Sequence, residues 1–182
     1  MNVKKVKNKL NIYKEFWSMA NKAERIAQNN NYDVDMLISA WQHQLTETEF
    51  FYCKLTKDKD PNDTYFRLKR EPKEHQLIYV ELGRGYSKEL YDAHWCYLLK
   101  HCKTKYFVIP VTSIKSNSST PDGLFEMDIV EESKMIGRLH FDEARCIDKM
   151  RVIEKKDYIN VETPRMEIEE AFKNFLDSDL IS

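Results

Sequence analysis

Four side chains in the middle of the sequence have types that suit chemistry on a phosphate: Arg84, His94, Thr112 and Ser113. A histidine titrates near neutral pH, so His94 could move protons during catalysis. An arginine can contact a phosphate, and the hydroxyls of Thr112 and Ser113 can hydrogen-bond to a phosphate or a ribose. Each residue type is a weak signal alone, and together they predict a site only if the fold brings them close.

His94 is expected to begin a β-strand, "HWCYLLKHC", that follows a glycine-containing loop. Neighbouring side chains in a strand point to opposite faces of the sheet. If Trp95 is buried, His94 therefore faces the mouth of that loop. The alternative is a structural histidine that hydrogen-bonds to the end of a strand.

Thr112 and Ser113 stand at the exit of the apolar strand "YFVIPVTS". Pro110 has no N–H to donate to a neighbouring strand, so this strand is expected at a sheet edge or with a bulge at the proline. Two hydroxyls at a strand exit also occur as ordinary turn residues. Arg84 lies between two glycines in what is predicted to be a mobile hairpin loop, where it is either a phosphate contact or a solvated turn residue.

Amphipathic helices are predicted at both ends of the chain. Apolar residues at spacings of three and four indicate a helix over residues 4–28 and a second helix capped by Asp33, which together form a helical hairpin. Thr163 and Pro164 indicate a cap and a first helical position, and hence a helix that closes the chain. Between them the sequence predicts seven short strands: "TYFRLK", "LIYVEL", "HWCYLLKHC", "YFVIPVTSI", "LFEMDIV", "IGRLHFD" and "KMRVIE". So many short strands without crossover helices favour an antiparallel sheet that curls into a small barrel.

The composition argues against several classes of protein. Hydrophobic residues make up 42% and charged residues 32% of the 182 residues, with a formal net charge of -1, which is typical of a globular rather than a disordered chain. No apolar run approaches the length of a membrane span and the first residues lack a signal peptide pattern, so a cytoplasmic location without membrane attachment is expected. Cys53, Cys96, Cys102 and Cys146 lack the spacing of a disulfide framework or a zinc site, so we expect reduced thiols, no metal and no cofactor.

The charges are unevenly distributed along the chain. The first 25 residues carry seven Lys or Arg and two Glu, whereas residues 160–182 carry six acidic and two basic side chains. The basic end could attract RNA phosphates. The alternative is a solvated helix face that pairs with the acidic C-terminal end.

Three segments resemble, in order and spacing, the PemK/MazF family of toxin ribonucleases: "YVELGRGY…ELYDAHWCYLL", "YFVIPVTS" and "LHFDEARCIDKMRVIEK", followed by a closing helix. The resemblance covers about residues 77–177. It implies an α+β fold built on a small SH3-like antiparallel β-barrel. Residues 59–182 would form this barrel domain with its C-terminal helix, and residues 1–58 an N-terminal helical hairpin extension.

The resemblance also implies a function. Proteins of this family are usually homodimers that cut single-stranded RNA without a metal, by making the ribose 2′-hydroxyl attack the adjacent phosphate, and a cognate antitoxin protein blocks their groove. Thr112 matches the family's catalytic threonine. A second run, which is mostly structural in the family, is matched by Arg145, Asp148, Lys149 and Arg151.

The chain departs from the family at one position, because His94 followed by Trp95 stands where the family has its catalytic arginine before a proline. In one interpretation His94 transfers the proton at the 2′-hydroxyl or at the leaving oxygen. In the other, Arg84 supplies the missing positive charge.

The remaining expectations concern binding. Thr112 and Ser113 are expected to hold the phosphate, and the side chains expected to bind RNA are Arg84, Lys88 and Lys115. An alternative from another class of function is a non-catalytic barrel module that binds nucleic acid or a protein partner.

Overall fold

The computed structural model describes residues 9–28, 32–60, 64–84, 86 and 88–178, with only the backbone of residues 9 and 10. The chain divides into two compact units, Met1–Leu45 and Thr46–Ser182. This division falls inside the second helix, earlier in the chain than the expected boundary between residues 58 and 59. The predicted start of the first helix, at residue 4, lies outside the described residues.

Two helices at the N-terminal end follow the predicted apolar spacing. Helix α1 covers Lys9–Ala27 and helix α2 covers Val34–Phe50. The predicted cap of α2 is confirmed, because Oδ1 of Asp33 accepts a hydrogen bond from the Met36 N–H at 2.9 Å. Ala23 and Leu37 are buried, but much of the apolar stripe is exposed, and Trp17 is 71% exposed.

The second unit contains a curled antiparallel sheet. Its strands are β1 (Gln76–Glu81), β2 (Ala93–Cys102), β3 (Lys105–Ser113), β4 (Glu126–Val130), β5 (Ile136–His140), β6 (Arg145–Asp148) and β7 (Ile159–Asn160). They are arranged in the order β4-β5-β3-β2-β1-β7, and β6 pairs with the first half of β3. Glu131 and Val161, which directly follow the two outermost strands, form a bridge that brings the two ends of the sheet together. The α+β class and the curled antiparallel sheet are therefore confirmed.

Alternating side chains divide the sheet into two faces, each with its own core. We call the side that packs against the C-terminal helix the helix face; its buried strand residues include Leu77, Tyr97, Ile109, Val111, Ile129 and Leu139. We call the opposite side the loop face; its buried strand residues include Ile78, Val80, Cys96, Leu98, Tyr106 and Val108. Leu68 and Val152, from segments outside the named strands, belong to the loop-face core. Because both faces are buried along much of β1–β3, a shift of one residue in the pairing would exchange the two sets of side chains.

The chain ends in the predicted amphipathic helix, α3, which covers Arg165–Asp177. Its buried residues, Ile168 and Phe172, pack into the helix-face core. The predicted cap is wrong in detail, because Pro164 occupies the cap position and makes no side-chain bond to the helix. The Thr163 hydroxyl instead accepts a hydrogen bond from the Val130 N–H at 2.8 Å and so attaches the start of α3 to the end of β4.

Two of the seven predicted strands are wrong. "TYFRLK" has no ladder partner: Lys69 donates its N–H to the Glu154 carboxylate at 2.6 Å rather than to a strand. "KMRVIE" begins with a 3-10 turn over Lys149–Arg151, because the Asp148 carboxylate accepts a hydrogen bond from the Met150 N–H at 2.9 Å. Strands β6 and β7 were not predicted, since each is too short to show an alternating pattern.

Pro110 sits at a gap in the pairing of β3. On one side of this strand, β6 pairs with Lys105–Val108 and β5 pairs with Val111–Ser113. Pro110, which has no N–H, therefore lies at a point where neither β5 nor β6 pairs with β3. The proline thus occupies a local edge within a central strand, and the irregularity in pairing occurs instead in β2, between Leu98 and Lys100.

Candidate functional site

The hydroxyl of Thr112 is bonded to a histidine that sequence reasoning did not select. Thr112 and Arg138 are partners in the pairing of β3 with β5, and His140 lies two residues further on the same face of β5. The Thr112 Oγ1 and His140 Nε2 atoms are 2.8 Å apart. The other ring nitrogen, Nδ1, is 3.5 Å from Oε1 of Glu126 on β4, so the carboxylate lies next to this nitrogen. The result is a carboxylate, an imidazole and a hydroxyl in a row.

The protonation of His140 is determined mainly by its burial. Burial lowers the pKa of His140 below its ordinary value of 6.5, although the charges of Glu126 and Asp142 oppose the shift. The ring is therefore mostly neutral at neutral pH. The Glu126 carboxylate favours the tautomer with the proton on Nδ1, and in that tautomer Nε2 accepts a hydrogen bond from the Thr112 hydroxyl.

Arg138 is buried beside Thr112, and its guanidinium donates hydrogen bonds to three different residues. Its Nε and one terminal nitrogen donate to the two oxygens of Asp128 at 2.7 and 3.1 Å. The Ser119 carbonyl accepts at 2.8 Å, and Oε2 of Glu126 accepts at 3.3 Å. Hydrogen bonds to Asp128 raise the pKa of this guanidinium, so the cation is permanent. Its strongest partner is Asp128, and its longer contact also holds Glu126, which in turn faces His140.

His94 lies on the same face as this cluster. It is paired with Val80 of β1, and the register that pairs Trp95 with Val111 sets His94 opposite Thr112. Side chains opposite each other in antiparallel strands have Cβ atoms about 4.5–5.5 Å apart. Trp95 packs into the helix-face core, so the predicted alternation of these two side chains is confirmed. Nδ1 of His94 is buried, and no described residue gives it a hydrogen-bond partner.

Ser113 is separated from this cluster by the sheet. It follows Thr112 directly in β3, so its side chain belongs to the opposite, helix face, where it lines a cavity with Val111. The structure thus brings His94 and Thr112 together but not Thr112 and Ser113. A shared role of the two hydroxyls at one phosphate is not favoured by this geometry.

The three basic residues expected to bind RNA differ in their surroundings. Arg84 forms an ion pair with Asp92, and its guanidinium lies 4.5 Å from the centre of the Tyr91 ring; its side chain is only 8% exposed. Lys88 and Lys115 are exposed. The loop that holds Arg84 is closed by hydrogen bonds between Asp92 and both Leu82 and Gly83.

Arg145, Asp148, Lys149 and Arg151, for which a structural role was expected, make contacts within the second unit. Asp148 caps the 3-10 turn, and Lys149 is buried with Nζ 2.8 and 2.9 Å from the two oxygens of Glu71. Arg151 donates to the Glu81 carbonyl at 3.2 Å. Arg145 is paired with Glu143, whose carboxylate also accepts the Leu90 N–H at 3.1 Å. These contacts attach the loop before β2 and the segment after β6 to the sheet.

Sequence reasoning missed His140, Glu126 and Arg138. The signal lay in the predicted strands "LFEMDIV" and "IGRLHFD", where Glu126 and Asp128, and likewise Arg138 and His140, are spaced two apart. Polar side chains two apart in a strand share a face. Only the pairing of β4 with β5 and of β5 with β3, however, brings them to Thr112.

The cluster contains the groups needed for proton transfer. A neutral imidazole with a free or exchangeable acceptor can take a proton from a hydroxyl, and a second imidazole can donate one. The described residues contain no group of three or more His, Cys, Asp or Glu side chains arranged to hold a metal ion. Nor does that part of the chain contain a helix with the length and apolar character needed to cross a membrane.

Comparison of the chain with models of known protein families found no match, and comparison with curated proteins likewise found none.

Proposed function

We propose that the protein is a metal-independent endoribonuclease that cleaves single-stranded RNA by attack of the ribose 2′-hydroxyl on the adjacent phosphate. The observation that carries this proposal is the 2.8 Å contact between Thr112 and the neutral His140, with His94 on the opposite side of Thr112. Cleavage of this type needs a base, an acid and a donor to the phosphate, and no metal. The cluster has one candidate for each.

In this mechanism, Nε2 of His140 accepts the proton of the 2′-hydroxyl while the 2′-oxygen forms a bond to phosphorus. His94, in its protonated form, gives a proton to the departing 5′-oxygen as the bond between phosphorus and that oxygen breaks. The Thr112 hydroxyl, released from His140 by the substrate, donates to a non-bridging phosphate oxygen. The products are a 2′,3′-cyclic phosphate and a 5′-hydroxyl, and His94 and His140 return to their starting protonation states through solvent.

The test is incubation of a long single-stranded RNA with the purified protein in EDTA. We expect wild type to cleave, and His140→Ala, His94→Ala and Thr112→Val each to lose about 10²- to 10⁴-fold in rate, as for loss of an acid, base or transition-state donor. The matched control is His101→Ala, because His101 lies on the same strand as His94 but at its exposed opposite end. Cleavage that persists in all three site variants would refute this assignment.

A second candidate, a non-catalytic module that binds a protein or nucleic acid, is favoured by the charge balance. Arg138, Arg145 and Arg84 each form an ion pair with a carboxylate, so their charges are already neutralised. A groove that binds RNA usually carries unpaired positive charge. The observation therefore favours a protein as the partner, and the absence of both RNA cleavage and salt-dependent RNA binding in every preparation would select this candidate.

The toxin proposal extends to the partners and the location of the protein. A homodimer, a cognate antitoxin protein that covers the cleavage site and a cytoplasmic location all rest on the same resemblance. Light scattering of the purified chain tests the dimer, and a monomer at high concentration would contradict it. For the antitoxin, the test is relief of growth arrest by a co-expressed neighbouring gene product, compared in wild type and Thr112→Val.

A further inference from the structure

The helix face of the sheet contains a cavity that the proposed ribonuclease does not use. Its volume is about 360 Å³, within the range of about 300–1,000 Å³ typical of small-molecule sites. Six strands, β1–β5 and β7, contribute to its walls, and the apolar lining includes Leu77, Trp95, Val111, Ile129, Met135 and Ile159. The cavity lies on the opposite side of β3 from Thr112, because Val111 and Ser113 line it.

A buried carboxylate stands in the wall of this cavity. Glu131 is only 7% exposed, and its oxygens accept hydrogen bonds from the Ser133 hydroxyl and, at 2.9 Å, from the Ser133 N–H. Burial alone would raise the pKa of Glu131, but these hydrogen bonds outweigh it and keep the pKa below its ordinary value. The group is therefore an anion at neutral pH.

This anion has no cation beside it in the described part of the chain. Lys134 lies next to Ser133 in sequence, but its ammonium pairs with Glu162. Ionised side chains that are almost fully buried are normally paired with an opposite charge. The neutral donors around Glu131 satisfy its oxygens but leave its negative charge without a counter-charge. A positive charge supplied by a ligand would complete the pairing.

The residues at the rim of the cavity add to this preference for a positively charged ligand. Glu132 also lines the cavity, and its carboxylate accepts a hydrogen bond from the Asn160 amide at 2.6 Å. The indole of Trp95 forms part of the wall, and aromatic faces attract organic cations. The lining thus combines apolar walls with negative charge at one side, and the described residues that line it include no Lys, Arg or His.

We propose that this cavity binds a small organic ammonium ion, whose apolar body fills the space between Trp95, Ile129 and Met135 and whose charged nitrogen meets Glu131. The ammonium group can belong to a free amine or to a lysine side chain of a partner, since both present the same chemistry. The proposal goes beyond the ribonuclease and is independent of it, because the cavity and the Thr112 cluster are on opposite faces of the sheet.

The test compares three probes of nearly the same size in wild-type protein: benzylamine, benzyl alcohol and phenylacetate. Each is titrated at pH 7 while the ¹H–¹⁵N NMR signals of the Trp95 indole and the Ser133 amide are followed. We expect benzylamine to shift both signals and to bind about tenfold more tightly than benzyl alcohol, which is a difference of about 1.4 kcal/mol, and phenylacetate not to bind. If benzyl alcohol or phenylacetate binds as tightly as benzylamine, or if neither signal moves with benzylamine, the proposal is wrong.

A variant then locates the charge that is recognised. Glu131→Gln keeps an acceptor for Ser133 but removes the anion, so benzylamine should bind no more tightly than benzyl alcohol. The matched control is Glu170→Gln, which removes one exposed carboxylate from α3 and should leave both affinities unchanged. If Glu131→Gln does not fold, the comparison of the three probes in wild type still decides the question.

A final titration distinguishes a free amine from a lysine side chain as the source of the ammonium group. N-acetyl-lysine methylamide presents a lysine side chain with an uncharged backbone. Binding of this compound at the level of benzylamine, with the same two signals shifted, supports a lysine side chain as occupant. Binding of benzylamine alone supports a free amine.

Discussion

At the scale of residues, the cluster around Thr112 depends on one imidazole between two different neighbours. His140 faces a carboxylate at Nδ1 and a hydroxyl at Nε2, so its tautomer is selected by Glu126 and its acceptor is directed at Thr112. Arg138 stabilises Glu126 without contacting the hydroxyl itself. The carboxylate orients the imidazole, and the imidazole can accept a proton at the nitrogen that faces Thr112.

The most unusual single atom of the cluster is Nδ1 of His94, which is buried without a described partner. A buried polar atom that is left unsatisfied costs about 1–3 kcal/mol. We therefore predict that His94→Leu raises the free energy of unfolding by about 1 kcal/mol, measured by urea denaturation, while RNA cleavage is lost.

The control for this prediction is His101→Leu, at the exposed end of the same strand, which should not be stabilising. A His94→Leu protein that is less stable than wild type would show that His94 makes a favourable structural contact. Higher stability combined with lost activity is the result expected when a residue is retained for function at the expense of stability.

At the scale of elements, β3 determines which residues can meet. It pairs with β2 on one side and with β5 and β6 on the other, and Pro110 marks the point where the second side changes partner. The same strand supplies Thr112 to the loop face and Ser113 to the helix face. A two-residue segment therefore contributes to two separate sites.

The connection between β4 and α3 depends on one hydroxyl, that of Thr163. We predict that Thr163→Val lowers the free energy of unfolding by about 1–2 kcal/mol, because the Val130 N–H loses its acceptor in a partly buried position. Thr163→Ser should retain most of the stability, since it keeps the hydroxyl. Equal stability of the Val and Ser variants in thermal or urea denaturation would show that the hydrogen bond contributes nothing.

At the scale of the whole molecule, two histidines make stability depend on pH. Burial is the largest cause that lowers the pKa of both His75 and His140 below the ordinary value of 6.5. Each therefore binds a proton more weakly in the folded state than in the unfolded state. Their contribution to stability is complete above pH 6.5 and is lost as the pH falls through 6.5 toward the folded pKa.

We accordingly predict that the free energy of unfolding is lower at pH 5.5 than at pH 7.5, with a slope of at most about 1.4 kcal/mol per pH unit for each histidine. Urea denaturation at both pH values measures the difference, and His140→Asn should reduce it. The carboxylates with lowered pKa values, among them Glu71 and Glu74, lose their contribution only below their ordinary value of 4.5. Stability that is constant or rises between pH 7.5 and 5.5 would contradict the prediction.

The sequence by itself determined the elements that local pattern controls. The spacing of apolar residues predicted α1, α2 and α3, Asp33 was recognised as the cap of α2, and five of the seven predicted strands overlap β1–β5 with bounds that differ by one or two residues. Alternation within one strand also placed His94 and Trp95 on opposite faces. These features depend on residues close together in the chain, whose periods of 3.6 and 2 are visible in the sequence.

Only the tertiary structure decided which side chains meet. Thr112 and His140 are 28 residues apart and are joined by the pairing of β3 with β5, while Ser113, next to Thr112, was turned toward a different cavity. "TYFRLK" and "KMRVIE" have the composition of strands, but Glu154 accepts the Lys69 N–H of the first. In the second, the turn bonded to Asp148 leaves a single bridge, between Val152 and Val80. Register between distant strands depends on which face each one buries, and that is a property of the assembled core rather than of any one segment.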